Sequence, residues 1–343
     1  MSERVLVGMS GGVDSSVTAL ILKNRGYEVA GVTLTLCEKD NSRDIEDARA
    51  VCSKLGIEHK VIDLKKEFSE YVISDFINEY KLGKTPNPCI VCNKFIKFGL
   101  MLDKARELGF DKLATGHYAR ICEENGRFLL RKGTDRAKDQ SYVLYCLSQE
   151  QLSSVLLPLG ELSKAQVREL AENSGLISAD RPDSQDICFV PDGDYASFIE
   201  KTDGFKALEG DYIDINGNHL GKHKGVIRYT LGQRKGLGIA LGKHAFVIDK
   251  NPETNNVVLG DEEHLFKKTV YSMNNNFIPF DELKGEMRVT AKLRYRHIEQ
   301  PAVISIAENL VRIEFYEPQR APSPGQSAVF YSGDTVIGGG IIV

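Results

Sequence analysis

An apolar run, Val5-Leu6-Val7, leads into Ser10-Gly11-Gly12-Val13-Asp14-Ser15-Ser16, and the apolar positions Val17, Leu20 and Ile21 follow at helical spacing. Strand, glycine turn and helix start in that order restrict the chain to an α/β fold that opens on a βαβ unit. Paired glycines let a backbone approach a pyrophosphate closely, and the N–H groups at the helix start present positive partial charge to it. No Gly-Lys-Ser or Gly-Lys-Thr is present in the segment, so the Walker grip on the β and γ phosphates is missing and transfer of a terminal phosphate is not expected.

The α/β pattern continues. Tyr27 to Cys37 reads as a second strand, and Asp44 to Leu55 as a helix with Ile45, Ala48, Val51, Cys52 and Leu55 on one face and Gly56 as its stop. Ile57 to Leu64 reads as a third strand, a helix reaches about Leu82, another covers Phe95 to Leu108, and Lys112 to Thr115 is a further strand. Alternating strands and helices predict a doubly wound parallel sheet with ligands at the carboxyl ends of its strands. From Gly210 to Gly260 the chain is rich in glycine and β-branched residues with turns such as Asn216-Gly217, and from about Thr269 to Val343 it alternates strictly. We therefore expect three units: a catalytic α/β domain over 1–205, a small β-rich domain over 206–266 and a β-barrel over 267–343.

A length of 343 residues agrees with more than one core. With 42% hydrophobic and 27% charged residues and no apolar run near the roughly 20 needed to span a bilayer, no membrane segment is expected. The N-terminus enters the first strand without a leader, which leads us to expect a cytoplasmic location. The net charge of −4 does not advertise a nucleic-acid binder, so any RNA site has to be local. Seven cysteines, an odd number, fit reduced thiols better than a disulfide framework.

Thr85-Pro-Asn-Pro-Cys-Ile-Val-Cys-Asn93 reads as an irregular loop, held by two prolines, that presents Cys89 and Cys92 away from the core. Their spacing fits a redox pair, a metal site or persulfide chemistry. Cys188 sits in another polar, proline-containing stretch, 181–189. Cys37, Cys52, Cys122 and Cys146 read as structural. A structural zinc site would want a second pair of ligands, and His219 and His223, four apart in a Gly- and Lys-rich loop, read as solvated. In 287–296, Arg288, Thr290, Lys292, Arg294 and Arg296 alternate with Val289, Ala291, Leu293 and Tyr295, giving one cationic face open to phosphate contact. Arg228, Arg234 and Lys235 form a second basic cluster able to cradle a backbone.

The Ser-Gly-Gly-x-Asp-Ser pattern resembles the pyrophosphatase loop of enzymes that split ATP between its α and β phosphates and adenylate a carbonyl oxygen. That resemblance gives Asp14 a part in placing Mg²⁺ and makes Ser10 and Ser15 donors to phosphate. Taken with Pro86-Asn-Pro-x-x-x-Cys-Asn93, Ala114-Thr-Gly-His-Tyr118, Lys138-Asp-Gln-Ser-Tyr142, Asp183-Ser-Gln-Asp-Ile-Cys188 and Pro324-Gly-Gln326, it closely resembles the bacterial tRNA-specific 2-thiouridylase family across almost the whole chain. The resemblance implies ATP-dependent adenylation of the 2-oxygen of the tRNA wobble uridine, then sulfur transfer giving 2-thiouridine, AMP and pyrophosphate.

By the same carry-over Gly8, Met9, Ser10, Gly11, Gly12, Val13, Asp14, Ser15, Leu34 and Gly116 line the ATP site. Asn87, Pro88 and Cys89 lie beside the target base, and His117, Lys138, Asp139, Gln140, Arg294, Tyr295 and Gln326 match positions that contact tRNA. Cys188 carries a persulfide supplied by a cysteine desulfurase or sulfur carrier, and Cys92 is the catalytic nucleophile. The family pattern has Asp where this chain has Cys89, so a carboxylate role does not transfer. Cys89, Cys92 and Cys188 are instead candidate ligands of a 4Fe-4S cluster that would bind inorganic sulfide. The alternatives are a small-molecule adenylating synthetase, which leaves the cysteines unexplained, and a non-enzymatic RNA-binding iron-sulfur protein, which leaves the loop idle.

Overall fold

The computed structural model describes residues 2–37, 42–176, 187–190 and 193–343. Strands β1 (Arg4–Gly8), β2 (Glu28–Thr35), β3 (Glu58–Asp63), β4 (Lys112–Ala114) and, later in the chain, β7 (Val155–Leu156) form a parallel sheet in the order β3-β2-β1-β4-β7. Helices α1 (Val13–Asn24) and α2 (Ser42–Leu55) bury Val17, Leu22, Ala48, Val51 and Cys52 with Val5 and Val7 of β1. On the other side Leu6 and Val32 pack with Phe98, Met101 and Leu102 of a helical run over 88–107. A continuous apolar sequence in β1 is thus what a strand covered on both faces needs. The order reverses between β1 and β4, and the carboxyl ends of these two strands carry the Ser10–Ser15 loop and Gly116.

The predicted helix at Phe95–Leu108 starts seven residues earlier. Asn87 caps it, its side chain accepting from the Cys89 N–H at 3.1 Å, and Pro88 occupies the first turn, where its missing N–H costs nothing. Pro86 lies in an irregular stretch as expected, but Pro88, read with it as a loop holder, starts a helix, and Cys89 and Cys92 stand on its first turns. Cys92 is buried, against the expectation that both thiols avoid the core. It packs with Phe68, Ile96, Phe189 and Val190.

Between β4 and β7 runs a hairpin, β5 (Ala119–Glu124) and β6 (Arg127–Lys132), which turns at Asn125-Gly126 with both residues at positive φ. It joins the C-terminal sheet. Strands β8 (Gly210–Ile213), β9 (His219–His223), β10 (Phe246–Asn251) and β11 (Asn256–Gly260) make a small sheet in the order β10-β11-β8-β9. His223, read as solvated, is buried instead between Tyr212 and Tyr229, with Nδ1 accepting from the Gly225 N–H and Nε2 against the Asn255 carbonyl.

Strands β12 (Phe266–Phe277), β13 (Met287–Lys292), β14 (Gln300–Ala307), β15 (Leu310–Arg320), β16 (Ser327–Ser332) and β17 (Thr335–Ile342) form an antiparallel barrel closed by β12 pairing with β17, and β6 adds to its edge through Arg131 opposite Thr335. Its interior is the alternating set Val289, Ala291, Ile304, Ile313, Phe315 and Phe330. The expected cationic strand face is cut short. β13 ends at Lys292 and the chain turns over 293–296, so Arg294 and Arg296 leave the ladder that carries Arg288 and Lys292.

Candidate nucleotide and sulfur site

The glycine loop closes β1 onto α1. Gly12 caps α1 and has no side chain to offer the first-turn N–H groups, and Val13 locks the turn into the core. Ser15 Oγ accepts from the Ser10 N–H at 3.1 Å, donates to the Gly12 carbonyl at 3.0 Å and lies 3.3 Å from Ser10 Oγ, holding the loop's shape. Met9 and Gly11 are buried and Gly8 is half-buried. Gly116, after β4, comes so close that a Cβ there would lie 3.0 Å from Asp14 and 3.1 Å from the Ser15 nitrogen. Loops from two strands therefore meet closely here, and a side chain at 116 would make its neighbours give by a few tenths of an ångström.

Asp14 stands in the first turn of α1 with its carboxylate engaged. It accepts from Tyr118 Oη at 2.7 Å, and Lys164 Nζ lies 2.8 and 2.9 Å from its two oxygens. A carboxylate beside a backbone anion cradle suits a nucleotide carried with Mg²⁺, whose charge such a group would balance. Sequence reasoning singled out Asp14 and missed Lys164, because 150 positions separate them.

Leu34, at the carboxyl end of β2, packs against two cores at once: the one holding Leu6 and Phe98, and the one holding Cys92. It links the nucleotide loop's sheet to the cysteine helix. Burial pushes the Cys92 thiol up to about 11, with Lys97 opposing and Cys188 and Cys89 adding. The Cys188 thiol is raised too, by burial first and then by Cys89 and Cys37, with Lys97 again opposing. Cys188 is exposed as a residue, but its neighbour Phe189 is wedged between Phe68 and Phe76 at ring separations of 5.6 and 5.3 Å, which anchors it. The preceding motif residues 183–186 lie outside the described residues.

These three cysteines thus share one electrostatic neighbourhood, and Cys37, read as structural, belongs to it. Cys52 and Cys146 are structural as expected, burial alone raising Cys52 to about 11 and leading the rise of Cys146 to about 12. Among the described residues no group of three His, Cys, Asp or Glu side chains is placed to hold a metal ion, so as they stand the three cysteines do not fit an iron-sulfur cluster. Lys97, half-buried, acts on Cys92, Cys188 and His117, and its polar identity inside an apolar helix stretch is the signal that could have found it. Beside Cys92, Asn93 donates to the Val143 carbonyl at 2.9 Å, while its buried Oδ1 has no partner among the described residues.

The residues matched to tRNA contact divide. Asn87 is spent on its cap, Pro88 is buried and Cys89 is exposed. His117 is buried, its Nδ1 2.8 Å from Thr115 Oγ1, and burial with Lys97 holds it well below the usual imidazole value, hence neutral. Asp139 is buried and accepts from the Gly133 and Ser141 N–H groups and the Ser141 hydroxyl. Gln140 Oε1 accepts from the Tyr118 N–H at 2.9 Å, and half-buried Lys138 follows Asp135 in a turn. Arg294 donates to the Ala321 carbonyl at 2.8 Å and Ser323 Oγ at 2.7 Å. Tyr295 stays 39% exposed and reaches the Asp139 carbonyl, and Gln326 Nε2 donates to the Thr85 carbonyl at 2.7 Å. In the small sheet's basic cluster Arg228 pairs with Glu200 at 2.7 Å, leaving Arg234 to line a cleft of about 520 Å³ with Lys243 and His244.

Fold and loop define a doubly wound α/β protein of the pyrophosphatase-loop type, extended by a β-rich unit and a closed barrel. Residues 3–192 match the family described as tRNA methyl transferase HUP domain, 196–261 the tRNA methyl transferase PRC-barrel domain, and 267–342 the aminomethyltransferase beta-barrel domain. The chain is 51% identical to the tRNA-specific 2-thiouridylase MnmA of Clostridioides difficile over 100% of its own length and 98% of that protein's. It is 47% identical to that of Lachnoclostridium phytofermentans, covering 99% of each. On this similarity the chain belongs to the tRNA-specific 2-thiouridylase family. No helix among the described residues is long and apolar enough to cross a membrane.

Proposed function

We propose that this protein is an ATP-dependent tRNA-uridine 2-sulfurtransferase acting on the wobble uridine, built as a catalytic domain over 1–205, a β-rich domain over 206–266 and a barrel over 267–343. The observation that carries the reading is that Leu34 of β2, the strand paired with β1 before the glycine loop, packs into the core that holds Leu6 and into the core that holds Cys92, whose thiol feels Cys188 and Cys89. A loop alone serves any adenylating synthetase, and thiols alone serve a sulfur carrier. Sulfur replacement of an unreactive carbonyl oxygen needs both.

Gly8 to Ser15, Leu34 and Gly116 hold ATP, and Asp14 is the residue for Mg²⁺, which when bound offsets polyphosphate charge. The uridine 2-oxygen attacks the α-phosphorus, the bond to the β-phosphate breaks with its electron pair on pyrophosphate, and the N3 proton goes to solvent. Adenylation makes the oxygen a leaving group. The terminal sulfur of a Cys188 persulfide attacks C2, and AMP departs with the C2–O electron pair. Cys92 as thiolate then attacks the Cys188 sulfur, the S–S pair leaves on the uridine sulfur, N3 takes a proton back from solvent to give 2-thiouridine, and a Cys92–Cys188 disulfide remains for a thiol reductant.

The persulfide comes from a cysteine desulfurase or a sulfur carrier in the cytoplasm. The single-stranded anticodon loop lets the base leave its stack at little cost. Asn87, Pro88 and Cys89 border that base, and His117, Lys138, Asp139, Gln140, Arg294, Tyr295 and Gln326 shape the surface the tRNA meets. Nucleoside mass spectrometry of thiolation-deficient tRNA incubated with protein, ATP-Mg²⁺, a desulfurase and cysteine tests the proposal: 2-thiouridine at the wobble position is expected, and its absence refutes it.

A further inference from the structure

Residues 229–245 run between β9 and β10 without helix or strand, yet they are held in place. The Gly232 N–H donates to the Val247 carbonyl at 2.8 Å, the Val247 N–H to the Gln233 carbonyl at 2.9 Å and Tyr212 Oη to the Leu237 carbonyl at 2.7 Å. Gly236, Gly238 and Gly242, at φ of +75°, +71° and +70°, let the chain curl around the cleft of about 520 Å³. A long irregular segment that is nevertheless ordered marks a binding loop rather than a linker.

The lining of the cleft is of two kinds. Arg234, Lys243 and His244 are exposed at it, with Lys235 exposed alongside, and Leu237, Ile239 and Leu241 form an apolar part. Asp261 meets Lys243 at 2.9 Å, so among the described residues the uncompensated charge is that of Arg234 and Lys235. The apolar residues also tie the loop inward. Leu237 is buried in the core that holds Phe189 and Val190, and Ile239 and Leu241 pack against that core as Ile187 does. Exposed Cys188 stands between Ile187 and Phe189, so one core carries both the cleft and the thiol. An RNA backbone would use the cations but brings no apolar group to the leucine and isoleucine side chains, whereas a protein segment with acidic and apolar residues meets both.

We infer that this cleft is the docking site of the sulfur donor: it takes an acidic segment, with apolar side chains, of the cysteine desulfurase that loads Cys188. This rests on the reading that Cys188 carries a persulfide. With the donor seated, the Cys188 thiolate attacks the terminal sulfur of the donor's persulfide and the S–S bond breaks. Its electron pair leaves on the donor cysteine as a thiolate, so Cys188 holds the transferred sulfur as a persulfide and no oxidant is consumed. Attraction between exposed charges speeds encounter more than it tightens a complex, which suits a donor that has to leave again.

The test loads the full chain, without tRNA, from two sources: the source organism's cysteine desulfurase with cysteine, and inorganic tetrasulfide, which needs no docking. Peptide mass spectrometry after alkylation reads persulfide on Cys188, filter binding reads tRNA affinity and thermal melts check folding. Arg234→Glu combined with Lys235→Glu is expected to slow loading from the desulfurase by at least about tenfold, while loading from tetrasulfide and tRNA affinity change by less than about twofold. Arg234→Lys is expected to load as the parent does, and Ala240→Trp, which fills the cleft without altering charge, to slow loading from the desulfurase alone. Unchanged loading from the desulfurase in the folded double variant overturns the inference. So does tRNA affinity that falls with loading, which would assign the cleft to RNA. Should the double variant fail to fold, Ala240→Trp loaded by the desulfurase at the parent's rate overturns it as well. A parent that tetrasulfide loads and the desulfurase does not overturns it too, while a parent that neither loads sinks the persulfide reading beneath it.

Discussion

Gln326 Nε2 donates to the Thr85 carbonyl at 2.7 Å across 241 positions, and the Thr85 N–H answers by donating to the Pro324 carbonyl at 2.8 Å. The barrel thereby grips the chain two residues before the Asn87 cap of the cysteine helix. Between the two partners stands Gly325 at φ +89°, where a Cβ would lie 3.0 Å from the Thr85 nitrogen.

Gly325→Ala is therefore expected to lower stability by about 1–3 kcal/mol, from a left-handed backbone and a backbone clash together. Urea unfolding measures it. An unchanged midpoint would show that the barrel does not constrain this loop.

Cys89 and Cys92 are expected to differ in reactivity despite their spacing. Iodoacetamide should label exposed Cys89 well before buried Cys92 near neutral pH, and Cys92 labelling should climb until the pH approaches about 11. The same shift has a stability sign. The folded pKa is raised from 9.0 to about 11, so the contribution is fully present below about 9 and lost as pH rises through 11. Peptide mass spectrometry of timed alkylation reads the order, and equal labelling at pH 7 contradicts it.

Gly116→Ala should push the Gly116 loop away from the Ser10–Ser15 loop while the fold survives, since the new methyl meets the Asp14 backbone and Cβ at 3.0 Å. We expect ATP affinity to fall by at least about tenfold, on the order of 1.4 kcal/mol or more, with an ordinary thermal melt. Retained affinity would move the site elsewhere.

Lys132 and Glu299 form a largely buried pair at 2.7 Å, joining the β5–β6 hairpin to the barrel, and Thr290 donates to the same carboxylate. Glu299→Gln removes one charge and leaves the other buried, which is expected to cost about 3 kcal/mol. A change within about 0.5 kcal/mol in denaturant unfolding would mean the hairpin is held by its strand pairing alone.

What the sequence made legible follows from where local patterns decide. Val5–Val7 with paired glycines and the stripe from Ile45 to Leu55 each reflect one element's own geometry, and those elements are where they were expected. Pro88 misled because a proline ends one kind of structure and begins another, and the difference lay in Asn87 as cap. The strand carrying Arg288 stops at Lys292 because the tertiary turn at 293–296 overrides an alternation that continues through Arg296. The hairpin turn at Asn125-Gly126 went unread, and its joining the barrel left no local mark, since Arg131 and its partner Thr335 lie far apart along the chain. Lys164 and Lys97 belong to the same class: their charge was visible, their partners were not.

The central claim is that a glycine loop and two thiols act together on one uridine. Its most direct test is 2-thiouridine formation, by nucleoside mass spectrometry, in proteins bearing Cys92→Ala, Cys188→Ala and Cys89→Ala, each supplied with ATP-Mg²⁺, a desulfurase, cysteine and thiolation-deficient tRNA. The relay predicts that the first two lose product and that Cys89→Ala retains it. Product lost in all three, with iron bound in the parent and absent from Cys89→Ala, would contradict the relay and put a cluster in its place.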